Sequence, residues 1–224
     1  MTDRVALVTG ASRGLGLALA SALAGKGWRL VVDARDAQLL QKVAAPLGAV
    51  AVPGDVADPA HRAALAAEVS RLGRLDLLVN NASTLGRSPL PPLAEYPIAE
   101  LTTVYQVNVF APLALTQGLL PVLAATGGRL VNVSSDAAAE PYPGWGGYGS
   151  AKAALDQLTA VLAAEWPGLR VYAFDPGDMR TEMHQRAFPG QDISDRPEPE
   201  SVVPALLRLV EGDLPSGRYQ AGSL

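Results

Sequence analysis

Thr9-Gly10-Ala11-Ser12-Arg13-Gly14-Leu15-Gly16 follows the apolar run Val5-Ala6-Leu7-Val8 and opens a stretch with helical apolar spacing at Leu15, Leu19, Ala22 and Leu23. The order is strand, glycine turn, helix. A backbone that turns sharply and approaches a phosphate closely cannot carry Cβ atoms, and the following helix presents free N–H groups and the positive end of its dipole. The turn is therefore a candidate pyrophosphate cradle. Glycine turns between strand and helix also arise from packing alone, so the motif needs support from the rest of the chain.

Outward from this turn the alternation repeats. Residues 28–33 read as a second strand, 37–47 as a helix, 49–52 as a third strand, and 59–72 as a helix with Leu65, Ala66, Val69 and Leu72 on one face. His61 is expected to be exposed in the first turn of that helix. Residues 75–79 form an aliphatic strand and 129–133 another; between them 98–125 look helical, but Pro112 and Pro121 imply one long bent helix or two in succession. A helix at 148–165, a strand at 169–174, a helix at 200–210 and a short strand at 217–219 follow. This pattern predicts a single α/β domain over 1–224, with a Rossmann-type doubly wound, mostly parallel seven-stranded sheet and helices on both faces. Ligands of such sheets bind beyond the carboxyl ends of the strands. The glycine turn, Arg35, Asp55, Asn80-Asn81, Ser134-Ser135 and Asp175-Pro176-Gly177 all follow strand ends, and the polar, aperiodic stretch 178–200 is expected to be a mobile flap beside them.

Composition narrows the ligand. The 224 residues are 49% hydrophobic and 18% charged with a formal charge of −4, and the chain lacks cysteine. Disulfides and thiolate zinc sites are excluded, and two distant histidines, His61 and His184, leave no metal expected. Clustered Lys/Arg for nucleic acid are missing, no apolar run is expected to cross a bilayer, and Met1-Thr2-Asp3-Arg4 has no signal-peptide organisation. A cytoplasmic protein with a small-molecule ligand is expected.

Tyr148 and Lys152 stand four apart at the start of a helix, one turn apart on one face. A nearby ammonium favours a phenolate, so the pair can donate and accept a proton near neutrality; a surface Tyr and Lys at helical spacing is the alternative. Ser135, at the preceding strand end, is placed to donate to a carbonyl oxygen beside Tyr148.

Taken together, Thr9 to Gly16, Asp55-Val56, Asn80-Asn81-Ala82, Asn108, Ser135, Tyr148-Gly149-Ser150-Ala151-Lys152 and Pro176-Gly177 resemble the short-chain dehydrogenase/reductase family, of the classical type, over residues 5–181. The resemblance implies that Tyr148 is general acid or base on the substrate oxygen and that Ser135 polarises the carbonyl. It implies that Lys152 lowers the tyrosine pKa and binds the nicotinamide ribose, and that Asn108 supports a water in a proton relay. It further implies that Gly10, Ser12, Arg13, Gly14, Leu15 and Gly16 cradle the pyrophosphate. Asp55 and Val56 are then placed at the adenine, Asn81 and Ala82 beside the cofactor, Pro176 and Gly177 against the nicotinamide, and Thr181 at its carboxamide or a phosphate. A homodimer or homotetramer is the family expectation. One departure is Ser83, where the family pattern has glycine; a positive φ there would strain serine, and a local adjustment is expected.

Cofactor choice turns on the end of the second strand, where an acid pairs with the ribose 2′-OH and repels a 2′-phosphate. In the family register the discriminating position is Ala34, followed by Arg35, which can fork onto a 2′-phosphate together with Arg13. NADP(H) is expected over NAD(H), with Asp33 directed away from the ribose and paired with a neighbouring base. The function expected is hydride transfer between nicotinamide and a carbonyl or secondary alcohol of a small, apolar substrate, contacted by Tyr142, Trp145, Met179, Met183 and Phe188. A non-catalytic NADP(H)-sensing module is the alternative. The absence of Gly-Lys-Ser/Thr after Gly14 excludes a P-loop phosphotransferase, and Ser150 lacks the flanking glycines of a nucleophile elbow.

Overall fold

The computed structural model describes residues 4–224; Met1, Thr2 and Asp3, and the expectation about a leader there, lie outside the described residues. Seven strands, β1 (Val5–Val8), β2 (Arg29–Ala34), β3 (Val50–Pro53), β4 (Leu77–Asn80), β5 (Arg129–Val133), β6 (Arg170–Asp175) and β7 (Gly217–Gln220), form one sheet in the order β3-β2-β1-β4-β5-β6-β7. Every pairing is parallel. The strand order reverses direction between β1 and β4, and the crevice opens at that point.

Alternation along the strands divides the core. Ala6, Val8, Leu30, Val32, Leu77 and Val79 pack on one face under α1 (Gly14–Gly25), α2 (Ala37–Ala44) and α8 (Val203–Glu211). Val5, Leu7, Val31, Leu78 and Leu130 pack on the other against Leu65 and Val69 of α3 (Pro59–Leu72) and Leu115, Leu119 and Leu123 of α5 (Ala111–Ala125). Both faces are covered, which is why the strands read as aliphatic runs rather than as polar and apolar residues in alternation.

The proline-bearing stretch is one helical run of 28 residues, Ile98–Ala125. Its first part is α4 (Ile98–Tyr105), and a π turn at Gln106–Phe110 joins it to α5. Pro112 is the second residue of α5, just after the π turn, and the run continues through it and through Pro121. By length and a mean hydropathy of 1.6 this run could cross a bilayer, contrary to the sequence expectation; half of that apolar window is buried inside the fold. A second difference is in the flap, which contains α7 (Glu182–Ala187), started by Thr181, whose Oγ1 accepts the His184 N–H at 3.1 Å. The helix α6 (Gly146–Glu165) begins two residues earlier than the sequence pattern indicates.

Buried asparagines tie the sheet to its helices. Asn80 Nδ2 donates to Asn132 Oδ1 at 2.7 Å and to Thr116 Oγ1 at 3.2 Å, and Asn132 Nδ2 donates to Thr159 Oγ1 at 2.8 Å. Asn132→Ala removes the central member, leaving Asn80 Nδ2 only Thr116 and Thr159 only its bond to the Leu155 carbonyl; a loss of about 1–3 kcal/mol is expected in urea denaturation, whereas a loss under about 0.5 kcal/mol would show the network to be dispensable.

Candidate functional site

The carboxyl ends of β1 and β4 meet almost without a gap. Gly10 adopts φ +65°, and a Cβ there would lie 2.8 Å from the Ala82 Cα. Asn81 Nδ2 donates to the carbonyls of Thr9 at 2.8 Å and Gly10 at 3.1 Å, while Thr9 Oγ1 accepts the N–H groups of Asn81 at 2.9 Å and Ala82 at 3.0 Å. Thr9 thus does structural work that its place in the motif alone did not reveal. Gly16 is a packing glycine behind the turn, since its Cβ would fall 2.5 Å from the Gly10 carbonyl oxygen.

Above this joint lies a cleft of about 1000 Å³. Gly10, Ser12, Arg13, Gly14 and Leu15 line it, as do Arg35, Asp55, Val56, Asn81, Ala82, Ser135, Tyr148, Lys152, Pro176, Gly177 and Thr181. Of the expected catalytic and cofactor-binding residues, Gly16 and Asn108 do not line it. The cradle suits an anion: α1 has no side-chain cap and no acidic residue in its first turn, so its leading N–H groups are free for a phosphate. Asp55 Oδ1 accepts the Ala57 N–H at 2.9 Å and fixes the turn after β3. Asp175 Oδ1 accepts the Gly177 N–H at 3.0 Å and fixes the turn after β6, where Gly177 has φ +71°.

At the opposite end Tyr148 is buried on α6 beside Ser135 and Ser83. Burial pushes its phenol above the ordinary tyrosine value, and the nearby Ser83 and Ser135 hydroxyls oppose the shift without cancelling it; the Ser135 hydroxyl itself donates to Asp136 Oδ1 at 2.9 Å. Desolvation is thus the largest influence on the phenol here, ahead of the neighbouring hydroxyls and carboxylates. The ammonium is 5.5 Å from the centre of the phenol ring and donates to the Val133 carbonyl at 2.6 Å; burial pushes its own pKa down to about 8.

Ser83 needs no strained backbone, because no residue other than glycine has a positive φ among the described residues. Its hydroxyl instead donates to Asn108 Oδ1 at 3.1 Å. Asn108 Oδ1 also accepts the Thr84 N–H at 2.9 Å, and its Nδ2 donates to the Thr84 carbonyl at 2.8 Å. The Asn108 side chain, set in the π turn, holds the loop after β4 beneath Tyr148.

The structure corrects three further expectations. His61 is buried, not exposed, and its Nε2 lies 3.0 Å from Asp33 Oδ2, which supplies the neighbouring base expected for Asp33. Tyr142 is exposed outside the cleft, donating to Asp136 Oδ2 at 3.0 Å. Phe188 stands behind Trp145 with ring centroids 6.0 Å apart, while Trp145, Met179 and Met183 do line the cleft. Two residues without a recognisable sequence signal also matter. Glu182 of α7 pairs with Arg13, and Arg218 of β7 donates to the Ser135 carbonyl at 2.9 Å, to Asp156 at 3.0 Å and to Asp175 at 3.2 Å.

The comparisons with known proteins agree with this geometry. The family model described as short chain dehydrogenase matches residues 4–192. Sepiapterin reductase of Mus musculus is 36% identical over 220 residues, covering 90% of this chain and 83% of that protein. The 2-(R)-hydroxypropyl-CoM dehydrogenase of Xanthobacter autotrophicus is 34% identical over 204 residues, covering 87% and 82%. A crystal structure of a short chain dehydrogenase from Shigella flexneri 2a, complexed with NADP, superposes with a TM-score of 0.91 at 31% identity, covering 98% of this chain and 97% of that one. With the family match running from β1 into the flap and these likenesses extending over nearly all of the rest, the chain belongs to the short chain dehydrogenase family of oxidoreductases.

Proposed function

We propose that this chain is an NADP(H)-dependent oxidoreductase acting on the carbonyl or secondary alcohol of a small apolar substrate. The observation that carries the reading is the meeting, in one cleft, of the Ser135, Tyr148 and Lys152 side chains with the uncapped glycine turn and the two arginines Arg13 and Arg35. NADP(H), when bound, supplies or accepts the hydride at its nicotinamide. The chain's own residues do the rest. The glycine turn and the α1 N-terminus hold the pyrophosphate, and Pro176, Gly177 and Thr181 bound the nicotinamide end. Arg35 is exposed at the cleft rim, with no ion-pair partner among the described residues, and fits a 2′-phosphate; Arg13, paired with Glu182, lines the same cleft and supplies a second guanidinium there once that pair opens.

In reduction, hydride adds to the carbonyl carbon while Tyr148 gives its phenolic proton to the carbonyl oxygen, which becomes the alcohol hydroxyl. Burial keeps that proton on Tyr148 at neutral pH, as a donor requires. Ser135 exchanges its bond to Asp136 Oδ1 for one donated to the same oxygen, and the Lys152 ammonium stabilises the phenolate that remains. Leu85, Trp145, Met183 and Ala187 form an apolar wall against Tyr148, which favours an apolar substrate. A homodimer or homotetramer in the cytoplasm accompanies this proposal.

Tyr148→Phe is expected to abolish turnover of carbonyl substrates while leaving NADPH affinity within about threefold, read by fluorescence titration. A wild type that reduces no carbonyl in a broad panel would favour a sensing role. NADPH is expected to bind more tightly than NADH, and Arg35→Asp to shift the preference toward NADH; equal or tighter NADH binding by the wild type would refute the cofactor assignment. Lys152 holds its charge below about pH 8 and loses it above. Reductive kcat/KM should therefore be level below that pH and decline above it, and a profile level to pH 10 would remove the ammonium from the mechanism.

A further inference from the structure

The floor of the cleft holds a carboxylate that the proposed reaction does not use. Asp33, at the end of β2 beside Ala34 and Arg35, is 1% exposed and has both oxygens engaged: Oδ1 accepts the Gly10 N–H at 2.7 Å, and Oδ2 faces His61 Nε2 at 3.0 Å. A carboxylate only accepts, so Nε2 carries the proton of this bond. His61 stands in the first turn of α3, and its ring fills the space that a side chain at Gly54 would need. Three elements, the glycine turn, the β3 end and α3, thus converge on one buried pair under the adenosine end of the cleft.

A carboxylate free at the end of the second strand would accept from a ribose 2′-OH and repel a 2′-phosphate. We propose that His61 is a positioning residue for cofactor choice, holding Asp33 against the glycine turn and α3 so that Arg35 is the group the ribose 2′ substituent meets. The proposal rests on the NADP(H) reading above and adds the device that makes Asp33 compatible with it. Deleting the donor while keeping the ring volume would release Asp33 toward the ribose; neutralising Asp33 as well would remove the consequence.

The test measures dissociation constants for NADPH and NADH directly, by calorimetry, on the wild type, His61→Phe, His61→Gln and Asp33→Asn/His61→Phe. His61→Phe is expected to move the affinity ratio about tenfold toward NADH, the scale of one charge acting on a nearby phosphate. His61→Gln, which retains a donor, is expected to keep the wild-type ratio, and the double variant to restore it. Equal weakening of both cofactors would make the pair merely a support for the glycine turn and overturn the proposal, as would an unchanged ratio. If His61→Phe fails to fold, His61→Leu is read by the same ratio. A wild type that does not prefer NADPH refutes the NADP(H) reading instead, while the change in ratio between wild type and variant still decides the role of His61.

Discussion

The ends of β1 and β4 approach so closely that no side chain fits between Gly10 and Ala82, and the hydrogen bonds of Thr9 and Asn81 hold them there. That contact sits where the strand order reverses, so the connections leaving the two strands diverge to opposite faces of the sheet. The crevice between them is a consequence of topology. Its narrow floor brings backbone N–H groups within reach of a phosphate, and the same floor sets the distance from the glycine turn to the residues on β5 and α6.

The two ends of the crevice use electrostatics in opposite ways. Around Tyr148 and Lys152 burial dominates: it raises the phenol, lowers the ammonium, and so keeps a proton available where hydrogen-bonding hydroxyls converge. Around the adenosine end charge is compensated pairwise, with Glu182 against Arg13 and His61 against Asp33, leaving Arg35 at the rim. An ion pair at the surface contributes little to stability. The Arg13 and Glu182 pair instead joins the flap helix to the phosphate turn.

Much of this was legible in the sequence because local rules and tertiary structure agree. The aliphatic strands, the helix beginning at Pro59, and the placing of Ser135, Tyr148 and Lys152 all follow from periodicity and spacing. What escaped depends on partners distant in the chain. His61 has the spacing of an exposed first-turn residue, but Asp33, 28 positions earlier, supplies a buried partner that no local pattern encodes. Spacing along a helix reveals that Lys152 stands near Tyr148 but not that both are desolvated, and desolvation is the largest cause of the shift at Tyr148. Ser83 departs from the family pattern, and only the fold reveals that its hydroxyl joins Asn108 to the surroundings of Tyr148. The helix within the flap is short and rests on the Thr181 cap, too little periodicity to register.

Arg218 has a consequence for how the site comes into being. Its guanidinium, carried by β7, gathers the Ser135 carbonyl, the Asp156 carboxylate of α6 and the Asp175 carboxylate of β6. Each of those groups is synthesised well before residue 218, and the buried Asp175 carboxylate lacks this guanidinium until then. The hydrogen bonds among Thr9, Gly10, Asn81 and Ala82 lie within the first four strands, but the wall bearing Ser135 has its last tether on β7. The phosphate-binding half of the cleft is thus joined by residues from the first part of the chain, while the proton-transfer half depends on a guanidinium carried by the sheet's last, edge strand.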